Sequence, residues 1–230
     1  MSVGYNGFAL YKANTQDFLE DISYYYDFCN GFKSLDLFAG YGRITNELIK
    51  KGVDIEAVEL EEEFIQYIDL PDEKKYRCNV LEFTPKKQYD RIFAGFNSFC
   101  LINQEEDIYS FFKMLASICS YNGLISLSYY PRNNWDDPSE FEFELNKKKI
   151  RYSSDYKIST VDTSQAVWID HYMIDGDIYN YKFPIKIYKE TDDLLKYTKK
   201  SGLRLEKIIK NYNQSNISIP GWVEYVFKKN

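Results

Sequence analysis

Asp36, Gly40, Gly42 and Glu59 are the residues of this chain whose types and spacing could do chemistry. They sit in and after the stretch Leu35-Asp36-Leu37-Phe38-Ala39-Gly40-Tyr41-Gly42-Arg43. That stretch reads as a short buried strand running into a glycine turn and then a helix. Glycine lets the backbone turn sharply and approach a ligand with no Cβ in the way. A second strand follows and ends on the acid Glu59. An acid about 20 residues after such a turn, at the end of the next strand, suits a ribose diol. Together these residues predict an adenosine-type cofactor at the switch point of an α/β sheet.

Each residue also has a plain structural role open to it. Gly40 and Gly42 suit any tight strand-to-helix turn, and short glycine patterns carry little weight alone. Glu59 suits a solvated strand end. Glu61, Glu62 and Glu63 behind it suit a helix N-terminal turn, where the dipole favours acids, better than a metal site. A nicotinamide-binding turn is the rival reading of the glycines. It needs G-x-G-x-x-G, and position 45 is Thr.

The elements that must position these residues alternate between strand and helix. Asn14 or Thr15 is expected to cap a helix running to about Cys29, with Gly31 as its stop. Strands are predicted at Ser34–Phe38, Asp54–Glu59, Tyr76–Asn79, Arg91–Gly95 and Leu124–Tyr129. Helices are predicted at Arg43–Lys51, Glu61–Tyr67 and Gln104–Cys119. The last of these sets Ile108, Phe111, Phe112, Leu115 and Ile118 on one face. Asn122-Gly123 reads as a turn. Alternating strands and helices imply a parallel sheet with right-handed crossovers.

The pattern changes from Arg132 to about Lys186. Ile150–Val161, Ala166–Ile174 and Ile178–Tyr188 show β-like alternation, with Asp175-Gly176 as a hairpin turn. Helix returns at Glu190–Lys200, and Leu203–Tyr212 and Trp222–Phe227 read as closing strands. One α/β domain over residues 1–230 is expected, with residues 1–31 helical and residues 132–186 a β-rich insertion. The insertion's exposed sheet edges leave a homodimer open.

Composition narrows the partners. At 230 residues the chain fits one large domain, and its net charge of −6 disfavours nucleic acid and anionic membrane. The amino terminus lacks a basic start followed by an apolar run, so no signal peptide is read. No stretch approaches the roughly 18 apolar residues of a membrane span. Cys29, Cys78, Cys100 and Cys119 form no C-x-x-C pair, and with one histidine in the chain no zinc site is expected. Free thiols in a reducing cytoplasm are the plain reading. The 22 tyrosines and 16 phenylalanines suit either a codon bias or an aromatic pocket.

These features together resemble the class I S-adenosylmethionine-dependent methyltransferases, over about Lys33 to Lys228. The family's strand-turn motif L-D-[LI]-G-x-G-x-G-R is matched at Asp36, Gly40, Gly42 and Arg43, with Phe38 in place of the first glycine. The resemblance implies a Rossmann-like α/β sheet of seven strands, mostly parallel with the last strand antiparallel, and an antiparallel β insertion after strand five that covers the substrate, with residues 1–31 as a helical cover. It implies that Phe38, Ala39, Leu60 and Phe96 line the cofactor, S-adenosyl-L-methionine, and that Glu59 holds the ribose. Asn79 in Cys78-Asn79-Val80 then faces the adenine amino group, where the family often has Gly-Asp, and Val80 lies against the ring. Gly95-Phe96-Asn97-Ser98 resembles the segment of small-molecule methyltransferases, including amino-sugar and glycine-type N-methyltransferases. It lacks the N-P-P-Y of adenine methyltransferases. The DNA cytosine enzymes need a Pro-Cys nucleophile, and no proline precedes Cys100.

The expected chemistry is in-line methyl transfer, in which alignment and exclusion of water do most of the work. An amine acceptor must also shed a proton, so a nearby base helps. His171 in the insertion is the candidate base, and an ordinary strand histidine is its alternative. Tyr11 is a candidate cofactor contact. Tyr5, Asn97, Tyr130, Arg132 and Trp135 are candidate substrate contacts. Asn97 could instead cap a turn, Arg132 could be a solvated loop cation, and Lys147-Lys148-Lys149-Ile150-Arg151 suits a solvated turn. A small-molecule acceptor, an amine of a sugar or specialised metabolite, is the leading expectation. O-methylation, RNA or protein methylation and a non-catalytic binding module are the alternatives. The acceptor itself is not legible.

Overall fold

The computed structural model describes residues 6–132, 135, 140–189, 191–211 and 221–230. Tyr5 lies outside them. Two sheets dominate. The larger comprises β1 (Ser34–Leu37), β2 (Ile55–Glu59), β3 (Lys75–Arg77), β4 (Tyr89–Ala94), β5 (Cys119–Tyr129), β10 (Leu203–Lys210) and β11 (Val223–Lys229). Its order is β10-β11-β5-β4-β1-β2-β3. Neighbours from β5 to β3 pair in parallel, and β11 pairs antiparallel with both β5 and β10. From β1 the chain winds outward through β2 and β3, then returns to place β4 on the other side of β1. The crevice beyond the carboxyl ends of β1 and β4 is therefore the topological switch point, where α/β sheets bind ligands.

The short central strands are covered on both faces. Every residue of β1 and β2 is buried, the pattern of a parallel sheet between helical layers. On one side α5 (Glu105–Ile118) buries Ile108, Phe111, Phe112, Leu115, Ala116 and Ile118. Each large apolar side chain removed from water this way contributes roughly 1.5–3 kcal/mol. On the other side α2 (Ile22–Cys29) and α3 (Arg43–Lys50) close over Ile55 and Phe93.

The amino-terminal region departs from the single helix expected from Asn14 or Thr15. It forms α1 (Gly7–Thr15) and then α2, separated by a turn. Asn6, not Asn14, caps α1, its side chain accepting from the Phe8 N–H at 2.9 Å. The break has a tertiary cause. The Phe18 carbonyl leaves the helical ladder and accepts from the Arg43 guanidinium at 2.5 Å. The expected Asn122-Gly123 turn is also absent, because β5 runs through it. Tyr89 pairs with Cys119 and Arg91 with Leu124, so residues 120–123 bulge out of an otherwise continuous strand.

The insertion is an antiparallel sheet of β6 (Glu140–Leu145), β7 (Lys148–Ile158), β8 (Gln165–Ile174) and β9 (Asp177–Lys186), in that order. Asp175-Gly176 is the hairpin turn expected, with φ of 52° and 93°. Asn146 and Lys147 make a second such turn with φ of 54° and 64°, and this hairpin brings in β6, a strand the pattern did not reveal. One face of the sheet carries Ile150, Tyr152, Tyr172 and Ile174, which pack on Leu10 of α1. The chain then leaves β9 into α6 (Thr191–Ser201) and closes through β10 and β11.

Candidate functional site

The glycine turn folds as it does because one carboxylate collects its amides. Glu59 Oε2 accepts from the Gly40 N–H at 2.7 Å, and Oε1 accepts from the Leu60 and Glu61 N–H groups at 2.9 Å each. Burial raises the Glu59 carboxyl above its usual range, against the three backbone donors that pull it down. Gly40 has φ +58° and nothing stands within 4 Å of where its Cβ would be, so the loop presents an open backbone surface. Gly42, at φ +83°, precedes α3. Phe38 occupies the family's first glycine position and still adopts the left-handed conformation, at φ 61°. That geometry costs a non-glycine residue on the order of 1–2 kcal/mol. Its ring packs 6.1 Å from Phe111.

Tyr11, Asp36, Phe38, Ala39, Gly40, Tyr41, Arg43, Ile44, Gly95, Phe96 and Ser98 line one cleft at the ends of β1 and β4. Phe96 and Asn97, which follow β4, also adopt the left-handed conformation, at φ 55° and 61°. Such strain in non-glycine residues concentrates at functional sites. Asn97 Oδ1 accepts from the Tyr130 N–H at 3.2 Å and from the Cys100 thiol at 3.1 Å. Asn97 thus ties the exit of β4 to the exit of β5. Asn79 Oδ1 accepts from the Leu81 N–H at 3.0 Å, so the oxygen expected to face a base also caps a short turn. Val80 is buried in the main core, and Leu60 is 54 % exposed beside Glu59.

Above the cleft lies α1. Thr15 Oγ1 donates to the Tyr11 carbonyl at 2.8 Å and shares a 2.9 Å hydrogen bond with the Tyr41 hydroxyl. Phe8 stacks on Tyr67 at 4.9 Å, and Lys12 Nζ lies 3.9 Å from the centre of the same ring. Asn14 Nδ2 donates to the Tyr172 hydroxyl at 3.2 Å, joining α1 to the insertion sheet. The helix is therefore held between the two sheets. Arg43 anchors the following turn, with Nη1 and Nη2 bonding Asp21 Oδ1 and Oδ2 at 2.7 and 2.6 Å.

Three residues that sequence reasoning missed complete the surroundings. Asp21 is the buried partner of Arg43. Trp222 stacks on Phe96 at 5.3 Å and lies 5.1 Å from Tyr130, making an aromatic wall with Phe18. Asp170 is buried on the face of the insertion sheet that packs on α1. Its neighbour His171 points to the opposite face, since side chains alternate along a strand. There His171 Nδ1 meets Asn180 Oδ1 at 2.5 Å, and the structure does not bring the ring to the cleft. Alternation in Trp168-Ile169-Asp170-His171-Tyr172 was the signal that could have separated the two. Trp135 is buried, bonding the Tyr130 carbonyl through Nε1 at 3.1 Å. Arg132 is exposed.

No family model matches the sequence, and no curated protein does. Solved structures match its fold. An S-adenosylmethionine-dependent methyltransferase from Clostridium acetobutylicum is 17 % identical at TM-score 0.75, covering 96 % of each chain. The amino pentose methyltransferase CalS10 from Micromonospora echinaspora superposes at TM-score 0.78 with 9 % identity, over 100 % of this chain and 99 % of that one. The sugar N-methyltransferase KedS8 from a Streptoalloteichus species gives 0.75 and 13 %, over 100 % and 95 %. The chain has the class I methyltransferase fold. The seven-stranded sheet with its antiparallel β11 and the four-stranded insertion are the two parts of that methyltransferase fold seen here.

Within the methyltransferase fold Asp36 holds a proton. Burial pushes its carboxyl up to about 8, although Thr45 Oγ1 donates to Oδ2 at 2.6 Å and Arg43 lies near. Between about pH 4 and pH 8 the folded protein keeps a proton that the unfolded chain has released. Stability is therefore expected to fall as pH rises through that window, by at most roughly 1.4 kcal/mol per pH unit. Urea midpoints at pH 5 and pH 8 check this, and Asp36→Asn should flatten that part of the difference.

Proposed function

We propose that this chain is an S-adenosylmethionine-dependent methyltransferase acting on a small molecule, with an amine of a sugar or other specialised metabolite as acceptor. The observation that carries the reading is the Glu59 carboxylate clasping the Gly40 loop at the switch point, beneath Tyr11. A carboxylate has about four lone-pair sites, and three are used here, two of them on Oε1. Oε2 therefore keeps capacity for a ribose hydroxyl. The open backbone at Gly40 fits the close approach of a ligand. Tyr11 and Phe38 bring aromatic rings to the cleft, and aromatic faces favour a cationic centre such as a sulfonium. The residues present thus fit the cofactor.

Bound there, S-adenosylmethionine supplies an activated methyl group on a sulfonium that becomes neutral when the methyl leaves. The chain's own residues do the positioning. Glu59 and the Gly40 loop hold the nucleoside end. The Phe96-Asn97 turn and Tyr130 set the floor where the acceptor arrives. Helix α1 and the insertion sheet exclude water, which strengthens every polar contact inside.

The small-molecule acceptor is supported by the cover and by charge. KedS8 and CalS10, a sugar N-methyltransferase and an amino pentose methyltransferase, share the architecture that includes the cover. Three of the four cations of the basic run in the insertion are paired with acids, Lys148 with Asp175, Lys149 with Glu142 and Arg151 with Glu140. A run neutralised in this way makes a poor track for RNA, whose phosphates need free cations.

Calorimetry tests the reading. The unsubstituted protein should bind S-adenosylmethionine, and Gly40→Val should weaken it at least about tenfold, because a β-branched residue is strained at φ +58°. Radiolabelled methyl should also pass from the cofactor to an amine fraction of cell extract. Absence of cofactor binding in the unsubstituted protein overturns the proposal.

A further inference from the structure

We infer that Asp170, not His171, receives the acceptor's ammonium group and takes its proton, an inference that rests on the methyl-transfer reading above. Asp170 is a carboxylate buried on the face of the insertion sheet that packs on α1. Among the described residues it forms no ion pair. Its two hydrogen bonds, from the Tyr152 hydroxyl at 2.8 Å and from Trp168 Nε1 at 2.9 Å, both fall on Oδ1. Oδ2 is left as an acceptor. Burying a carboxylate without a cation is costly, and such groups are kept where a charged partner arrives from outside.

Two routes connect Asp170 to the cleft. On one side Tyr152, which donates to Asp170, packs 5.3 Å from Tyr172, and Tyr172 accepts from Asn14 of α1, the helix that carries Tyr11. Tyr11 itself lines the cleft beside Gly40. On the other side Trp168 packs edge-on against Trp135 at 5.6 Å, and Trp135 bonds the Tyr130 carbonyl at the end of β5. The carboxylate is thus joined through Trp168 and Trp135 to the exit of β5, beside the Asn97 turn. Facing or flanking it are Tyr11 from α1, Tyr152 and Ser154 from β7, Tyr181 from β9, and His171 and Tyr172 on its own strand. Among these His171 is the only group that can carry positive charge, and it lies on the other face.

The step is a simple proton transfer. The ammonium N–H bond breaks, the proton moves to the Asp170 carboxylate, and the electron pair stays on nitrogen as the nucleophile's lone pair. Burial raises the Asp170 carboxyl, against the hydrogen bonds from Tyr152 and Trp168, which makes it a better acceptor than a surface aspartate. No other buried carboxylate shares that face among the described residues.

A binding measurement tests this without knowledge of the acceptor. Sinefungin is an S-adenosylmethionine analogue that carries a charged amine where the methyl sulfonium would be, and S-adenosylhomocysteine carries neither. The full-length protein should prefer sinefungin over S-adenosylhomocysteine by about tenfold in calorimetry, as expected for one close charge pair. Asp170→Asn, which keeps an oxygen for Tyr152 and Trp168, should lose that preference and leave S-adenosylhomocysteine affinity unchanged. Asp155→Asn, at an exposed carboxylate of the same sheet, should keep it. In the unsubstituted protein the preference should fade as pH drops and Asp170 takes up its proton, a readout that needs no variant. An equal preference in the unsubstituted and Asp170→Asn proteins, or one independent of pH, overturns the inference while leaving the methyltransferase reading intact. Failure of S-adenosylhomocysteine to bind at all overturns both.

Discussion

Glu59→Ala is expected to lower affinity for S-adenosylmethionine by about 100-fold or more and to destabilise the protein by about 3 kcal/mol. Both effects have one source. The carboxylate is the shared partner of the Gly40, Leu60 and Glu61 amides. A hydrogen bond to a charged group contributes about 1.5–3 kcal/mol, and a buried donor left without its acceptor costs a comparable amount. Leu60 and Glu61 are exposed and recover part of the loss from water. Gly40 is half-buried and does not, so its loop loses the geometry that presents it to a ligand. Calorimetry with the cofactor and urea unfolding measure the two effects separately. Glu59→Gln distinguishes them. It keeps an oxygen for one set of amides but removes the charge that a ribose diol prefers. It should recover more of the stability than of the affinity. Unchanged affinity in both variants would remove Glu59 from the site.

The second large effect is expected at the Asp21–Arg43 pair. Asp21 is fully buried and Arg43 is 8 % exposed in their side chains. Arg43→Ala should cost about 3–5 kcal/mol, because it strands a buried carboxylate and also frees the Phe18 carbonyl. The double variant Asp21→Leu/Arg43→Met should be much closer to the unsubstituted protein, since a buried pair replaced whole by apolar groups is often neutral. Urea unfolding of the two single variants and the double gives the coupling directly. The functional consequence lies in the cover. Arg43 joins the turn after α1 to the helix that follows the glycine loop, and its guanidinium stacks on Phe18 and Phe96 at 5.0 and 5.1 Å. Losing it should loosen α1, seen as faster amide exchange in residues 7–21, even where the core remains folded.

The arginine of the glycine motif shows how far reading by pattern extends. Its place after Gly42 is visible in the chain, but its partner is 22 positions away in a segment that reads as ordinary helix. The same limit explains the broken helix. The cap signal at Asn14 or Thr15 and the stop at Gly31 are local, and only the folded protein shows that the Phe18 carbonyl is claimed by Arg43. Likewise Asn122-Gly123 is locally a turn. Pairing with β4 and β11 on either side keeps it inside a strand as a bulge.

By itself the chain determined the alternation of strands and helices, the glycine turn, the acid at the end of β2 and the antiparallel insertion. Each depends on local chemistry: apolar runs that only a covered parallel sheet can bury, glycines that only a left-handed turn requires, and a period of two in the insertion. Tertiary structure alone decided which side chains meet. It set Trp222 against Phe96 across more than a hundred residues, laid α1 between the two sheets, and turned Asp170 inward with His171 outward. The reason is physical. Alternation along β8 separates neighbouring side chains onto two faces, but which face is inside depends on the helix that packs there. That helix comes from the other end of the chain.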